Sequence, residues 1–346
     1  MNNTQSISRT QGICLCVNLL CNKLFLLTPA FFIGNAGSGA LFSVLTIYLV
    51  AFLFFELLFK KTAGDLFVLF KKVWFQRVFH FLSFALTLFC CVVNFSLLIY
   101  FLKATVFPKS PYLFLAFPFA LCMGVCAKSG IKSVAGTSGF FVPLIFTIPL
   151  LLLATTVPNF DFSELFPLFG KGLRPTFLNG IFMLSSLFEV LILFYVPAFY
   201  PAKKLAGIVR PTLAISCLLY LLIIGSVLLL GNSHTGGHAF SLLQTGFSGR
   251  NDGIFLIIYT LSGILYLASM LFFAAEMFRK AVPVPARNVL FLPLTLLIVL
   301  YSEITFLSQE GQAFLKNAGL LLWLMPFIVP LLFLLFAKSK KEPKHD

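Results

Sequence analysis

The chain has 346 residues, of which 60% are hydrophobic and 10% are charged, and its formal net charge is +14. Its mean hydropathy is +1.01. A soluble domain of this length cannot bury so much apolar surface, so the composition excludes a soluble globular protein and indicates an integral, multi-pass membrane protein.

Apolar windows of about 20 residues recur along the chain and predict ten transmembrane helices. The loops between them are brief, so we expect an all-α polytopic protein with a single integral membrane domain over residues 1–346, ending in a basic tail, 338–346. The predicted spans are 11–34, 38–58, 78–102, 111–127, 134–157, 175–200, 205–231, 253–278, 288–307 and 317–337.

The Lys and Arg residues are distributed unevenly between the two sides of these spans. Eighteen of them lie in the tails and in one alternating set of loops, whereas six lie in the opposite loops. Cytoplasmic loops carry the excess of Lys and Arg in membrane proteins, so both termini are predicted to be cytoplasmic. This distribution indicates contact with anionic membrane lipid and argues against nucleic acid as a partner.

Two charged residues lie deep within predicted spans. Lys23 is about midway between Gln11 and Gly34 in the first span, and Glu189 has a similar depth in the sixth. At about 1.5 Å per residue, Lys23 is roughly 16–18 Å from either end of its span, farther than a lysine side chain reaches. Charges at such depth are rare and indicate a functional site or a partner charge.

The first and sixth of ten spans are corresponding positions in two five-helix halves. Their two deep charges therefore predict a 5+5 arrangement of inverted repeats, 11–157 and 175–337, with discontinuous helices 1 and 6. Two interpretations of Lys23 and Glu189 stay open: a ligand or proton-coupling site, and a buried pair that only holds helices together. The residues that favour interruptions of the two helices are Asn22, Thr28, Pro29, Gly180, Ser185 and Ser186.

Other polar residues within the spans are weaker candidates. Thr137 and Ser138, in "VAGTSGFFVP" (134–143), suit either a coupling-ion site or close helix packing, and Asn94 and Ser262 are similarly ambiguous. All eight Cys residues lie within spans without a C-x-x-C pair, so we predict no metal site, disulfide framework or cofactor. The deep polar residues offer no nucleophile–base pair, which argues against an enzyme.

Several stretches carry a resemblance to a known family. They are "ISRTQ" (7–11), "LFLLTP" (24–29), "NAGSGALFSVL" (35–45), "KKTAGDLFVLF" (60–70) and, most strongly, the loop and sixth span over 159–204. Together they resemble the spore germination permeases, the B subunits of nutrient germinant receptors in the amino acid–polyamine–organocation superfamily. That family usually has a Pro-Phe-Gly-Glu core in the sixth span. Here only Glu189 of that core is kept, after Ser186, Leu187 and Phe188.

The resemblance implies a LeuT-like transporter fold in the cell membrane or the spore inner membrane. It further implies a cavity, lined also by the third and eighth spans, that senses a small nutrient such as an amino acid, with the receptor A and C subunits as partners. A proton- or sodium-coupled amino acid permease of the vegetative cell membrane is the alternative. The residues predicted for ligand binding are Asn22, Lys23, Leu24, Asn94, Ser185, Ser186, Glu189 and Ser262.

Overall fold

The computed structural model describes residues 6–25, 28–62, 67, 72–230, 252–282, 287–307 and 324–331, and no strand occurs among them. The α-helices are α1 (Arg9–Cys21), α2 (Thr28–Ala36), α3 (Ala40–Thr62), α4 (Val73–Thr105), α5 (Tyr112–Ser129), α6 (Ile131–Thr156), α7 (Leu173–Phe182), α8 (Val190–Leu193), α9 (Ala206–Leu229), α10 (Asp252–Ala281) and α11 (Phe291–Leu307). Short 3-10 helices cover Asn22–Phe25, Gly37–Gly39, Val157–Asn159, Phe162–Leu165, Met183–Leu187, Val196–Ala198, Ala202–Lys204 and Arg287–Val289, and a π turn covers Leu324–Ile328.

Helices long and apolar enough to cross a membrane confirm an integral membrane protein. Among the described residues, and counting helices through adjoining 3-10 turns, these are Phe31–Thr62, Val73–Lys103, Tyr112–Ser129, Ala202–Leu229 and Leu256–Ala281. Shorter apolar helices cover Ile131–Thr147 and Phe291–Ile304. The predicted tenth span, 317–337, is described only over 324–331, and the predicted tail 338–346 lies outside the described residues.

Helix α10 lies at the centre of the packing. It packs along α4 and against α5 and α6, and it also contacts α1 and α11. Helix α1 packs between α6 and α9, while α3 packs against α7 and α9. This arrangement brings the end of α1 next to α10, and α10 supplies polar side chains to the site described below.

Helix α1 has a defined start and an early end. At its start, Ser8 Oγ accepts a hydrogen bond from the Gln11 N–H at 3.2 Å, and Gln11 Oε1 accepts one from the Ser8 N–H at 3.0 Å. This reciprocal cap satisfies two N–H groups that the helix leaves free. The helix ends at Cys21 and is followed by the 3-10 turn Asn22–Phe25. Pro29, near the start of α2, lacks a backbone N–H and so disfavours a continuous helix through this point.

Side chains bind two backbone carbonyl groups around this turn. The Tyr220 hydroxyl of α9 donates to the Leu20 carbonyl at 3.1 Å, and the Thr28 hydroxyl donates to the Lys23 carbonyl at 2.9 Å. Both hydrogen bonds are buried. Because an unsatisfied buried carbonyl is costly, these contacts stabilise the break between α1 and α2.

Helix α7 ends at Phe182, and only short helices follow it as far as Lys204. The longest of them, Met183–Leu187, has 5 residues. Pro197 and Pro201 disfavour a long helix towards the end of this segment because each lacks a backbone N–H. Every residue over 187–196 is buried.

The connection between α6 and α7 closes onto the junction of α2 and α3. Gly170 has a φ of +49°, and a Cβ at that position would collide with the Ala36 carbonyl oxygen and lie 2.8 Å from the Gly39 nitrogen. Beside it, Lys171 Nζ donates to the Gly34 carbonyl at 2.5 Å. The left-handed backbone and the close approach together require glycine at position 170.

An exposed ion pair joins α3 and α9. Arg210 Nε lies 2.6 Å from Glu56 Oε1, and Arg210 Nη2 lies 2.8 Å from Glu56 Oε2. Their side chains are 55% and 32% exposed. Exposed pairs contribute at most about 1 kcal/mol, so this one provides a comparison for a buried pair.

Candidate functional site

The turn after α1 contacts the short-helix segment that follows α7. Lys23, in the turn Asn22–Phe25, donates from Nζ to the Ser186 carbonyl and forms an ion pair with Glu189 Oε2. Its Nζ also lies 4.7 Å from the centroid of the Phe188 ring. The predicted contact between Lys23 and Glu189 is therefore confirmed, and its role in binding a ligand stays a prediction.

The second oxygen of the Glu189 carboxylate has a partner on α10. Glu189 Oε1 accepts a hydrogen bond from the Tyr266 hydroxyl at 3.0 Å. Glu189 is 1% exposed and Lys23 is 7% exposed, so the pair is almost completely removed from solvent. Both carboxylate oxygens are satisfied, as a buried charge requires.

A second polar cluster lies between the same turn and α10. The Asn22 side-chain Nδ2 donates to Ser262 Oγ at 2.8 Å, and the Ser262 hydroxyl donates to Asn18 Oδ1 at 2.7 Å. A Cβ at Gly263 would lie 3.7 Å from Asn22 Oδ1 and 3.3 Å from a Leu98 methyl group. The glycine therefore allows α10 to approach both α4 and the turn closely. This cluster fixes the turn beside the ion pair.

The family model for spore germination proteins, the spore permease type, matches residues 6–310. The chain belongs to this family. A comparison with curated proteins found no match. The family resemblance seen in the sequence is thereby confirmed.

Among solved structures, the fold is similar to the crystal structure of MhsT in complex with L-phenylalanine, with a TM-score of 0.68. The two proteins are 14% identical, and the match covers 95% of this chain and 88% of MhsT. Such a likeness establishes the LeuT-like transporter fold. Family and fold together indicate a transporter-like membrane protein and not an enzyme.

The structure brings together five of the residues predicted for the ligand site of this spore germination protein. Lys23, Ser186 and Glu189 meet at the ion pair, and Asn22 meets Ser262 beside it.

The other predicted ligand-site residues are placed differently. Leu24 is fully buried in the turn. The backbone of Ser185 lies in the turn Met183–Leu187, whereas its side chain lies outside the described residues. Asn94 Nδ2 donates to the Cys90 carbonyl at 2.8 Å within its own helix, α4, and its role in ligand binding stays a prediction.

The two residues predicted for a coupling ion also bind within their own helix. The Thr137 hydroxyl donates to the Ser133 carbonyl at 3.0 Å, and the Ser138 hydroxyl donates to the Val134 carbonyl at 2.8 Å. A hydroxyl that donates to the carbonyl four residues earlier has its hydrogen-bond acceptor within its own helix. Ser138 is buried whereas Thr137 is exposed, and a coupling-ion role for either residue stays a prediction.

Three side chains at the site were not predicted from the sequence. Tyr266 binds Glu189, Phe188 lies over Lys23, and Asn18 completes the cluster with Ser262. Helical spacing was the signal available for two of them. Tyr266 follows Ser262 by four residues and Asn18 precedes Asn22 by four, so each shares a helix face with a predicted residue.

Ser262→Ala should lower the stability of the folded protein by about 1–3 kcal/mol, because it leaves Asn22 Nδ2 and Asn18 Oδ1 buried without a partner. The thermal unfolding midpoint of the purified chain measures this loss. Ser269→Ala is the matched control, since Ser269 is equally buried on α10 but donates only to the Leu265 carbonyl of the same helix. An equal loss in both variants would contradict a bridging role for Ser262.

Proposed function

We propose that this chain is the transporter-like B subunit of a nutrient germinant receptor, which senses a small nutrient such as an amino acid and triggers germination. The observation that carries the proposal is the buried pair of Lys23 and Glu189, which joins the turn after α1 to the turn after α7. Family membership supplies the germination context, and the solved structure with a similar fold holds L-phenylalanine.

The chemistry of the site suits a zwitterion. An amino acid presents an ammonium and a carboxylate, and buried charges need partners of opposite sign. Glu189 and Lys23 supply those two signs, and the C-terminal ends of α1 and α7, at Cys21 and Phe182, add partial negative charge that favours the ammonium. The aromatic ring of Phe188 supplies an apolar surface with affinity for a cation.

The proposed architecture consists of ten spans in two inverted repeats, 11–157 and 175–337, with helices 1 and 6 interrupted at the two turns. Both termini lie in the cytoplasm, and the membrane is the inner membrane of the spore. The receptor A and C subunits pass the signal on, and anionic lipid meets the basic cytoplasmic side. Interrupted helices at corresponding positions are the usual place for substrate sites in such folds, which supports this assignment.

A second candidate function is a proton- or sodium-coupled amino acid permease of the vegetative cell membrane. The transporter fold favours it, because binding between two halves of such a fold serves transport as well as sensing. Uptake of a labelled amino acid into proteoliposomes containing this chain alone would support the permease over the receptor subunit.

Deleting the gene should abolish germination in response to one nutrient class and leave other triggers effective, because a receptor subunit serves one receptor. The measurement is loss of spore optical density after addition of each nutrient class, with the gene restored in trans as the control. Spores that germinate normally with every nutrient, from a strain that fails to grow on one amino acid, would instead favour the permease.

A further inference from the structure

The environment of the Lys23 ammonium has the composition of a binding site for a primary amine. Three kinds of group surround Nζ: the Ser186 carbonyl oxygen, the Glu189 carboxylate and the face of the Phe188 ring. A carbonyl and a carboxylate accept hydrogen bonds from an ammonium, and an aromatic face attracts a cation. All three groups come from one short segment, 186–189, while the ammonium comes from the turn after α1.

This acceptor set has support that does not depend on Lys23. The Tyr266 hydroxyl holds the Glu189 carboxylate through Oε1, and Phe188 is 6% exposed. The segment that follows is buried as far as residue 196. The lysine ammonium, in contrast, stands at the end of a flexible four-carbon stem, so it can leave with little change in backbone structure.

We infer that segment 186–189 forms an ammonium subsite that Lys23 occupies while no ligand is bound, and that the primary ammonium of the nutrient displaces it. This inference rests on the proposed function, since it assigns the ligand class of the same site. When the ligand ammonium takes the place of Lys23 beside Glu189, the freed Lys23 ammonium pairs with the ligand carboxylate. Every buried charge then keeps a partner.

The exchange selects for compounds that carry both charges. An amine without a carboxylate would displace Lys23 and leave its ammonium buried and unpaired. A carboxylate without an amine would have to draw Lys23 away from Glu189, and Glu189 would then be left without a cation. Ser186 Oγ and Asn18 Nδ2 are buried donors that make no hydrogen bond within the described part of the chain, so they remain available to a carboxylate. The predicted ligand class is therefore an α-amino acid, and neutral sugars and simple amines are excluded.

The exchange also specifies what binding changes. Without ligand, Lys23 connects the turn after α1 directly to the turn after α7. With ligand, the connection runs through the bound molecule and therefore depends on its length and shape. A ligand shifts a conformational equilibrium only through contacts that differ between the two states, and this substitution of one ammonium for another supplies such a difference.

The test uses purified full-length Lys23→Ala and n-propylammonium, which corresponds to the part of the lysine side chain that this variant lacks. A concentration ten times its Kd should raise the thermal midpoint of Lys23→Ala by roughly 2–4 °C. Neutral 1-propanol should not raise it, and n-propylammonium should not raise that of the wild-type chain or of Lys23→Ala/Glu189→Gln. If Lys23→Ala is recovered unfolded, n-propylammonium present during solubilisation should restore its folded yield. Absence of both effects, or an equal effect in the double variant, would overturn the inference.

The wild-type chain provides an independent arm. Each standard amino acid except aspartate, glutamate and proline is compared with the decarboxylated amine of the same side chain. We expect at least one amino acid, and none of the amines, to raise the thermal midpoint. An amine that stabilises the wild-type chain as well as its amino acid would overturn the inference. If n-propylammonium rescues Lys23→Ala but the wild-type chain responds to no amino acid, the result would support the ammonium subsite and count against the proposed function.

Discussion

Lys23→Met or Glu189→Gln alone should destabilise the protein by about 3–5 kcal/mol, and the double variant should recover most of that loss. Each single change leaves the remaining charge buried, since Glu189 is 1% exposed and Lys23 is 7% exposed. The double variant has no unpaired charge, so we expect it to fold while failing to respond to nutrient. Folded yield in detergent and the thermal midpoint measure the first effect, and spore germination measures the second.

The exposed pair of Arg210 and Glu56 is the matched control for these variants. Glu56→Gln removes a two-point ion pair whose side chains remain accessible to solvent, so the loss of stability should not exceed about 1 kcal/mol. The charge exchange Lys23→Glu/Glu189→Lys should restore assembly at least partly, because it keeps opposite charges together. A Lys23→Met variant with normal stability and a normal nutrient response would show that the lysine is incidental and that the site is wrongly assigned.

Gly170→Ala should destabilise the protein by at least about 3 kcal/mol, through two effects that act together. A residue with a side chain is strained at a φ of +49°, and its Cβ would collide with the Ala36 carbonyl oxygen and approach the Gly39 nitrogen. The clash involves backbone, which cannot rotate away as a side chain can. The connection between α6 and α7 would therefore separate from the junction of α2 and α3. The thermal midpoint and the folded yield measure the loss.

Substitutions at two further glycines distinguish the effect of backbone strain from the effect of a steric collision. Gly172 has a φ of +112°, but a Cβ there would meet only Pro175 Cδ at 3.8 Å, so Gly172→Ala tests strain alone at about 1–3 kcal/mol. Gly139 lies within α6, where an added methyl group would meet nothing within 4 Å, and alanine there should be neutral or stabilising by up to about 1 kcal/mol. A loss for Gly170→Ala no larger than that for Gly172→Ala would disprove the close contact.

The class of protein and the central pair could be predicted because both depend on strong, local signals. Hydropathy marks membrane helices regardless of how they pack. A charge deep within an apolar span needs a partner, and Glu189 is an acid at a depth that matches Lys23. The family resemblance depended on several weak stretches, which the family model matches as a whole.

Orientation around a helix axis could not be predicted from the same signals. Asn94 has suitable depth in its span, but only the structure shows that its amide donates to the Cys90 carbonyl within α4. In the sequence, Tyr266 does not differ from any other aromatic residue of an apolar helix. Only the packing of α10 shows that its hydroxyl faces Glu189. The packing of all the helices together decides which face of each helix meets its neighbours. Because many of these helices are apolar on several faces, the sequence is compatible with more than one orientation of each helix.

The extent of the irregular segment after α7 was also beyond prediction. Gly180 and Ser185-Ser186 indicated a local interruption. Gly180 instead lies within α7, and short helices continue from Met183 to Lys204. Isolated short helices are unstable on their own, so contacts with surrounding helices must hold this conformation. Those contacts join residues far apart in the sequence, as between Lys23 and Ser186.

The complete burial of residues 187–196 has a consequence for how the bilayer acts on this protein. A membrane helix with an outer face adjusts its tilt to the thickness of the surrounding hydrocarbon. This segment has no such face, so the thickness and fluidity of the bilayer affect it only indirectly, through the helices that enclose it. Contacts within the protein alone therefore set the position of this segment relative to Lys23. The geometry around Glu189 should therefore be the same in bilayers of different acyl-chain length, provided that the enclosing helices stay together.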